Sequence, residues 1–196
     1  MAVRPIPQIG DPVLRRPTQP VGLDELRSAE IQQVIDDMIE TMADAAGSGI
    51  AANQIGVPLA ICVIGVTKNE RYPYKPPIPL TVLVNPEIRL LDDLEWLNNE
   101  GCLSVPLRGD LTRFMNIEVT AHDRAGSPLT EIYRGLTAGT VQHEVDHLNG
   151  MLIVDRMEDS QSMTTWDNFA QHGMAAYLER IEPVIAATEP KWNVDE

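Results

Sequence analysis

Residues 142–150 read "QHEVDHLNG", and the spacing within this stretch predicts a helix with two contrasting faces. At about 100° per residue, His143 and His147 lie about 40° apart on one face. Three apolar residues lie on the opposite face: Val141, Val145 and Leu148. The stretch therefore predicts a helix that packs on a core with one side and presents two imidazoles with the other.

The two histidines admit two interpretations. Residues four apart on a helix are about 5 to 6 Å apart at Cβ, so both rings can reach one metal ion. Glu144 then lies beside the pair, where a carboxylate can move protons to and from a bound water. The alternative is a surface helix with two solvated histidines. A third ligand elsewhere in the chain would favour the metal.

Cys102 is the predicted third ligand. It lies in "NNEGCLSVP", a glycine-flanked and charged setting in which a thiolate can ligate a cation. Cys62 lies in an apolar strand and is predicted to be a packing residue. Downstream of the histidines, "MLIVDRMEDS" offers three further carboxylates, Asp155, Glu158 and Asp159. A strand-like segment directly after the helix does not bring these carboxylates back to the ion, so Cys102, His143 and His147 form the predicted metal site.

A second segment with small side chains, "GSGIAANQIG", spans residues 47–56. Small residues let a substrate backbone lie against the protein backbone, and Gln54 can point its amide at a developing oxyanion. The alternative is a structural cap after a helix. The segment lacks the spacing and the lysine of a phosphate-binding loop.

Composition limits the class of protein. The chain has 196 residues, 43% of them hydrophobic, which suits one domain spanning 1–196. Its formal net charge of −14 disfavours direct nucleic-acid binding. The proline-rich opening "MAVRPIPQIGDPVLRRP" has no apolar run long enough for a signal peptide or membrane anchor. We expect a soluble, cytoplasmic protein without a membrane partner.

Hydrophobic periodicity predicts the order of the elements. Apolar residues recur at three and four from Ile31 to Met42, which predicts a helix ending near Gly47. Two strands are predicted from "PLAICVIGV" (from 58) and "PLTVLVNPEIRLL" (from 79), with the exposed loop "TKNERYPYKPPIP" between them. Residues 112–122 predict a further strand, and "DRAG" at 123 predicts a hairpin turn to a strand around Ile132.

The metal-binding helix follows that hairpin, then the strand-like "MLIVD" and a C-terminal amphipathic helix ending near Pro183. Strands grouped between helices and joined by hairpins favour an α+β fold over a doubly wound parallel sheet. We expect mainly antiparallel sheets packed around a central metal-binding helix, with N-terminal and C-terminal helices. The motif-bearing core is about 6–156, and the C-terminal extension is about 160–184.

Three segments together resemble the signature motifs of peptide deformylases, the metalloenzymes that remove the formyl group from nascent chains beginning with N-formylmethionine. They are "GSGIAANQ" (47–54), "EGCLS" (100–104) and "QHEVDH" (142–147). The flanking "IGDPVLRRPTQPV" and "HLNGMLIVDR" are similar to the family as well. The resemblance implies a hydrolase that releases formate from N-formylmethionyl peptides.

The resemblance also implies a role for each matching residue. Cys102, His143 and His147 would bind the metal, and Glu144 would act as general base and then general acid. The Gln54 side chain and the Leu103 backbone N–H would stabilise the oxyanion. Gly49 and Ile50 would pair with the substrate backbone as a strand does, and an apolar pocket would receive the methionine side chain.

The ligands alone leave the metal open between Zn²⁺, Fe²⁺, Ni²⁺ and Co²⁺. The resemblance implies Fe²⁺. Two other functions stay open at this stage. One is a zinc endopeptidase with a different third ligand, and the other is a binding protein that holds a metal or a formyl peptide without turnover.

The sequence departs from the family pattern at Ser48, where an apolar residue is usual, and this change could alter how the substrate strand packs. The compact "LRGDLTR" leaves the roles of Arg108 and Arg113 open; Arg113 either pairs with Glu100 behind the cysteine or lies on the surface. In some bacterial deformylases a C-terminal helix helps to dock the enzyme on the ribosome. The C-terminal helix here is acidic, so we expect it to pack on its own domain or a partner subunit, with at most a transient ribosome association.

Overall fold

The computed structural model describes residues 2–66 and 74–188, and it has the expected α+β fold. The helices are α1 (Leu23–Leu26), α2 (Ala29–Asp44), α3 (Gly135–Leu148), α4 (Ile153–Arg156), α5 (Trp166–Asn168) and α6 (Met174–Ala187). The strands are β1 (Gly49–Ala51), β2 (Ile61–Val66), β3 (Ile78–Leu90), β4 (Glu95–Cys102), β5 (Val105–Phe114), β6 (Asn116–His122) and β7 (Pro128–Arg134). Most of the predicted loop "TKNERYPYKPPIP", residues 67–73, lies outside the described residues.

Two antiparallel sheets carry the strands. The larger sheet has the order β1-β2-β3-β6-β7, and β4 pairs with β5 in a separate ribbon. Side chains alternate along β2, so Cys62 and Ile64 face the cluster that contains Val141 and Leu148 of α3. Ile61 and Val63 face the opposite cluster, which contains Ile35 and Met38 of α2. The sheet is therefore packed between α2 and α3, and Cys62 is a core residue, as predicted.

Helix α2 begins where Ser28 accepts a hydrogen bond from the backbone N–H of Ile31. Its apolar stripe is buried, as the periodicity predicts. The helix ends at Asp44, shortly before the predicted end at Gly47; Ala46 takes the left-handed conformation, with φ +49°, and the Gly47 N–H bonds back to the Met42 carbonyl. Gly47 and Ser48 then connect the helix to β1.

The hairpin between β6 and β7 is confirmed, with Ile117 opposite Tyr133 and Val119 opposite Glu131. The side chain of Asp123 holds the turn, since it accepts from the backbone N–H groups of Ala125 and Ser127.

The single strand predicted over 112–122 is wrong: β5 ends at Phe114 and β6 begins at Asn116, each in a different sheet. Gln142 of α3 stabilises this break, because its side chain accepts from the Phe114 N–H and donates to the Phe114 carbonyl. The strand-like interpretation of "MLIVD" is also wrong. Those residues lead into α4, whose first turn is capped by Asp155 accepting from the Leu152 N–H.

The C-terminal segment packs on its own chain, as predicted. Tyr177, Ile181 and Val184 form a buried cluster with Trp96 and Leu136. Helix α6 does not end near Pro183 but continues to Ala187. Its end is held by Thr188, which donates to the Val184 carbonyl and accepts from the Leu136 N–H.

Across the described part of the chain, we find no helix with the length and hydropathy needed to cross a bilayer.

Glycine 150 ends the metal-binding helix, and its replacement tests how that end is built. Its φ is +74°, and the N–H groups of Gly150 and Met151 bond back to the carbonyls of His147 and Asp146. A Cβ here would lie 2.7 Å from the Arg15 carbonyl oxygen, whereas a Cβ on Gly56, with φ +82°, would meet no atom within 4 Å.

We expect Gly56→Ala to lower the free energy of unfolding by about 1 to 2 kcal/mol through its backbone alone. Gly150→Ala should cost a further ~1 to 3 kcal/mol because of the collision with Arg15. Urea unfolding of both variants measures the difference. Equal losses would contradict the close packing of Arg15 on the helix end.

Candidate metal centre and substrate cleft

The three predicted ligands meet at one point. Cys102 ends β4, while His143 and His147 project from adjacent turns of α3. Their ligand atoms all lie within 4.8 Å of one another, and Cys102 Sγ is 3.2 Å from His147 Nε2. The side chain of His143 is only 12% exposed and His147 is buried, so the interpretation as solvated surface histidines is wrong. Asp155, Glu158 and Asp159 do not join the cluster.

The residues present fit a divalent transition-metal ion. A thiolate and two imidazoles make up three of the four positions of a catalytic site. The Cys102 sulfur accepts from the Ser104 N–H at 3.3 Å and faces Gln54 Nε2 at 3.7 Å, so two N–H groups fix its position. Buried His147 Nδ1 has no hydrogen-bond partner among residues 2–66 and 74–188.

A buried ion-pair network lies behind the histidines. Glu100 accepts from Arg113 through both carboxylate oxygens, each at 2.8 Å, and its Oε2 lies 2.9 Å from His143 Nδ1. Arg113 also donates to Asp146 at 2.6 Å, and Asp146 pairs in turn with Arg156. The predicted pairing of Arg113 with Glu100 is confirmed, and Arg113 is not a surface residue, being only 1% exposed.

This network fixes the orientation of His143. Burial opposes charge on Glu100, but the Arg113 guanidinium and the His143 ring outweigh it and hold the pKa of Glu100 well below its usual range. The permanently charged carboxylate occupies Nδ1 of His143, which leaves Nε2 as the ligand atom. Sequence reasoning gave no role to Asp146, whose carboxylate links Arg113 to Arg156.

Glu144 is buried beside the metal cluster. Its Oε2 has no hydrogen-bond partner in the described ranges of the chain. Burial, assisted by the charge of Glu100, raises the pKa of Glu144 to about 7 against the opposing effect of His143 and Lys75. A carboxyl group with that pKa exchanges protons readily near neutral pH. Gly49 packs against it so closely that a Cβ there would lie 2.3 Å from Glu144 Oε1.

Strand β1 supplies the wall of the cleft opposite α3. It lies at the end of the strand order and pairs with β2 on one side, through Gly49 to Ile64 and Ile50 to Val63. Its second edge therefore has no strand partner within the sheet that the structure describes. Gly49 lines the cleft, whereas Ile50 is fully buried in the core. Ser48 is buried in the lining of the cleft.

Gln54 is held in place from both ends of its amide. Its Oε1 accepts from the Ala51 N–H at 2.9 Å, and its Nε2 donates to Ser104 Oγ at 3.1 Å. The Gln54 amide is thus fixed at the cleft beside Cys102, and Leu103 lines the same cleft.

The remaining walls of the cleft include residues that the sequence did not single out. They are Tyr74, Lys75, Asn98, Asn99, Thr140, Trp166 and Tyr177. The apolar pocket expected for a methionine side chain stays a prediction. No local pattern points to these residues, because they come from five separate segments of the chain.

Arg108 explains how the C-terminal segment reaches the cleft. Its guanidinium carbon lies 4.3 Å from the Trp166 ring centroid and 3.7 Å from that of Phe169. The backbones of Arg108 and Thr164 exchange two hydrogen bonds. Trp166 in turn lies against Gly101, where a Cβ would be 2.2 Å from the indole.

Comparisons with known proteins agree with this geometry. The family model described as polypeptide deformylase matches residues 3–163. Peptide deformylase 2 of Pseudomonas putida is 44% identical over 188 residues, which are 95% of this chain and 99% of the relative. Peptide deformylase 2 of Ralstonia nicotianae is 43% identical over 158 residues, covering 80% and 88% of the two chains. The Met-Ala-Ser-bound crystal structure of the class I type b peptide deformylase from Acinetobacter baumannii superposes with a TM-score of 0.77, at 38% identity, over 80% of this chain and 99% of that one.

The buried network predicts a large effect of Arg113→Met on stability. The substitution leaves Glu100 and Asp146 without their shared cation, and breaking a buried pair in this way costs about 3 to 5 kcal/mol. Arg89→Met is the matched control, since Arg89 is 64% exposed and pairs with Glu118 on the sheet surface. It should cost less than about 1 kcal/mol. Urea unfolding of the two variants tests this, and a small, equal loss for both would contradict a structural role for the network.

Proposed function

Because the chain belongs to the polypeptide deformylase family, we propose a mechanism for it in which the residues of the cleft have distinct roles. The family reaction is the metal-dependent hydrolysis of a linear amide, and the chain removes the N-formyl group from nascent peptides. The observation that supports our assignment of roles is the convergence of Cys102, His143 and His147 beside buried Glu144.

We assign Cys102, His143 and His147 as the ligands of one divalent ion, with Fe²⁺ as the native metal. When bound, such an ion polarises the formyl carbonyl and makes hydroxide available near neutral pH. Glu100 keeps the His143 ring in its ligating orientation through Nδ1. The N–H groups of Ser104 and Gln54 hold the Cys102 sulfur in position.

Glu144 carries the proton. It accepts a proton from the attacking water and delivers it to the nitrogen of the departing amine, as a base that becomes an acid. Its burial supports this role, because the neutral and charged forms of its carboxyl group are close in free energy near pH 7. The contact with Gly49 keeps it against the strand along which the substrate lies.

Hydrogen-bonding groups held in fixed positions would face both the oxyanion and the substrate backbone. Gln54, with its amide locked by Ala51 and Ser104, and the Leu103 N–H stabilise the oxygen that becomes charged during attack. Gly49 and Ile50 offer the backbone of β1 to an extended peptide, which adds as a further strand. In this alignment the formyl end of the peptide would lie beside Cys102.

We propose N-formylmethionyl nascent peptides as the substrates and the bacterial cytosol as the place of action. The Acinetobacter baumannii enzyme has been crystallised with Met-Ala-Ser, a peptide of the product type. Any association with the ribosome would be transient, because the formal net charge of −14 disfavours binding to ribosomal RNA.

Two other functions fit the cleft less well. An endopeptidase with a different third ligand has no support in the cluster, where the third donor is Cys102. A site that only stores metal or peptide has no use for Glu144, a carboxyl group buried beside the ligands.

The proposed proton carrier is tested by Glu144→Ala. Anaerobic formate release from formyl-Met-Ala-Ser, with Fe²⁺ present, should fall by about 10² to 10⁴ while metal content is unchanged. Glu158→Ala is the control, since Glu158 lies outside the metal cluster and should keep full turnover. Undiminished release by Glu144→Ala would refute the mechanism, and no release by the metal-loaded wild type would refute the activity.

The ligand assignment is tested by comparing the two cysteines. Cys102→Ala should weaken metal affinity by at least about 100-fold, because it removes a ligand and not just an outer contact. Cys62→Ala, in the core and outside the cluster, should bind metal as wild type does. Metal content after dialysis, measured by elemental analysis, decides between them. Full retention by Cys102→Ala would favour the endopeptidase ligand set.

A further inference from the structure

The ladder of hydrogen bonds between β4 and β5 becomes irregular directly before Cys102. Gly101 pairs with Arg108, but Cys102 pairs with Val105, so the register shifts between these two positions. Such an irregularity locally disrupts the ladder. Gly101 also lacks a side chain that would limit its backbone conformation. The ladder alone therefore holds the backbone only weakly at the residue before Cys102.

The indole of Trp166 supplies a contact at this point from outside the ribbon. A Cβ on Gly101 would lie 2.2 Å from Cζ2 of Trp166 and 2.9 Å from two further indole atoms, so the ring packs directly on the glycine backbone. Trp166 lines the same cleft as Cys102. It lies beyond residues 3–163, which the family model matches. A residue of the C-terminal segment thus covers the backbone next to Cys102.

Arg108 holds Trp166 in this position. Its backbone exchanges hydrogen bonds of 2.9 and 2.8 Å with Thr164, two residues before Trp166. Its guanidinium carbon lies 4.3 Å from the indole centroid, and the same guanidinium donates to the Asn99 carbonyl at 2.9 Å and to Asn99 Oδ1. Because Arg108 is also the cross-strand partner of Gly101, this one buried residue contacts both the strand that carries Cys102 and the ring that covers it.

We propose that Trp166 is a positioning residue for Cys102, acting through Gly101. The inference rests on the proposed function, in which Cys102 is a metal ligand. The Cys102 sulfur must lie where both imidazoles reach the same ion, and a displacement of the Gly101 backbone would move it. The N–H groups of Ser104 and Gln54 contact the sulfur itself, whereas Trp166 restrains the backbone that carries it.

The test measures the affinity of the full-length protein for Co²⁺ by competition with a chelator. Co²⁺ is a suitable probe because a thiolate ligand gives it a charge-transfer absorption, which reports directly on Cys102. Trp166→Ala should weaken Co²⁺ binding by about 10- to 100-fold, the range for residues that orient metal ligands. The charge-transfer band of the loaded variant should also shift, because the sulfur is displaced relative to the ion.

A substitution at Gly101 makes the test specific for this contact. Gly101→Ala alone should weaken Co²⁺ binding, because its Cβ collides with the indole. In the double variant, Gly101→Ala with Trp166→Ala, the methyl group enters the vacated space and limits the backbone. The double variant should therefore bind Co²⁺ more tightly than either single variant. Additive losses in the double variant would overturn the proposal.

Ile181→Ala is the matched control, because Ile181 is fully buried in the same C-terminal segment but packs in the cluster with Leu136 and Tyr177. It should lower stability in urea unfolding and keep the wild-type affinity for Co²⁺. Wild-type affinity in Trp166→Ala, or an equal loss of affinity in Ile181→Ala, would overturn the proposal. Wild-type affinity in Cys102→Ala would instead refute the ligand assignment of the proposed function, and the positioning role would fall with it.

Discussion

The buried ion pair between Glu100 and Arg113 is the interaction on which the rest of the site depends. It joins both strands of the small ribbon, and through His143 and Asp146 it joins that ribbon to α3. Glu100 and Cys102 are two apart on a strand, while His143 and His147 are four apart on a helix. Residues two apart on a strand share one face, and so do residues four apart on a helix. The contact between Glu100 and His143 therefore also brings Cys102 next to His147.

The sequence alone was sufficient to predict the cluster of Cys102, His143 and His147 and several of the main elements. Val141, Val145 and Leu148 pack on the core as the helical repeat predicts, which forces His143 and His147 toward the cleft. Strand β4 has no comparable apolar pattern. Its buried residues Asn98, Asn99 and Glu100 are polar, and they are stabilised in the interior by hydrogen bonds and ion pairs. Binary patterning detects only burial of apolar side chains, so this strand was missed.

The walls of the cleft were beyond prediction for a different reason. Lys75 and Tyr177 are about a hundred positions apart in the chain, and neither belongs to a local motif. Tyr177 reaches the cleft because Arg108 lies between Trp166 and Phe169 and so docks the C-terminal segment on β5. A tertiary contact between a cation and two aromatic rings produces no periodic pattern in the sequence. The family pattern was equally uninformative for Trp166 and Tyr177, since the matched region ends at residue 163.

The brevity of β1 has a consequence for the behaviour of the protein in a crowded solution. An exposed sheet edge is a template on which other chains can polymerise, and proteins commonly protect such edges by making them short. Because β1 contains only Gly49–Ala51, its edge has too few backbone groups to bind a second folded molecule. It is long enough for the flexible end of one peptide. In the proposed mechanism, the same three residues therefore pair with one peptide end while offering little backbone to a second folded molecule.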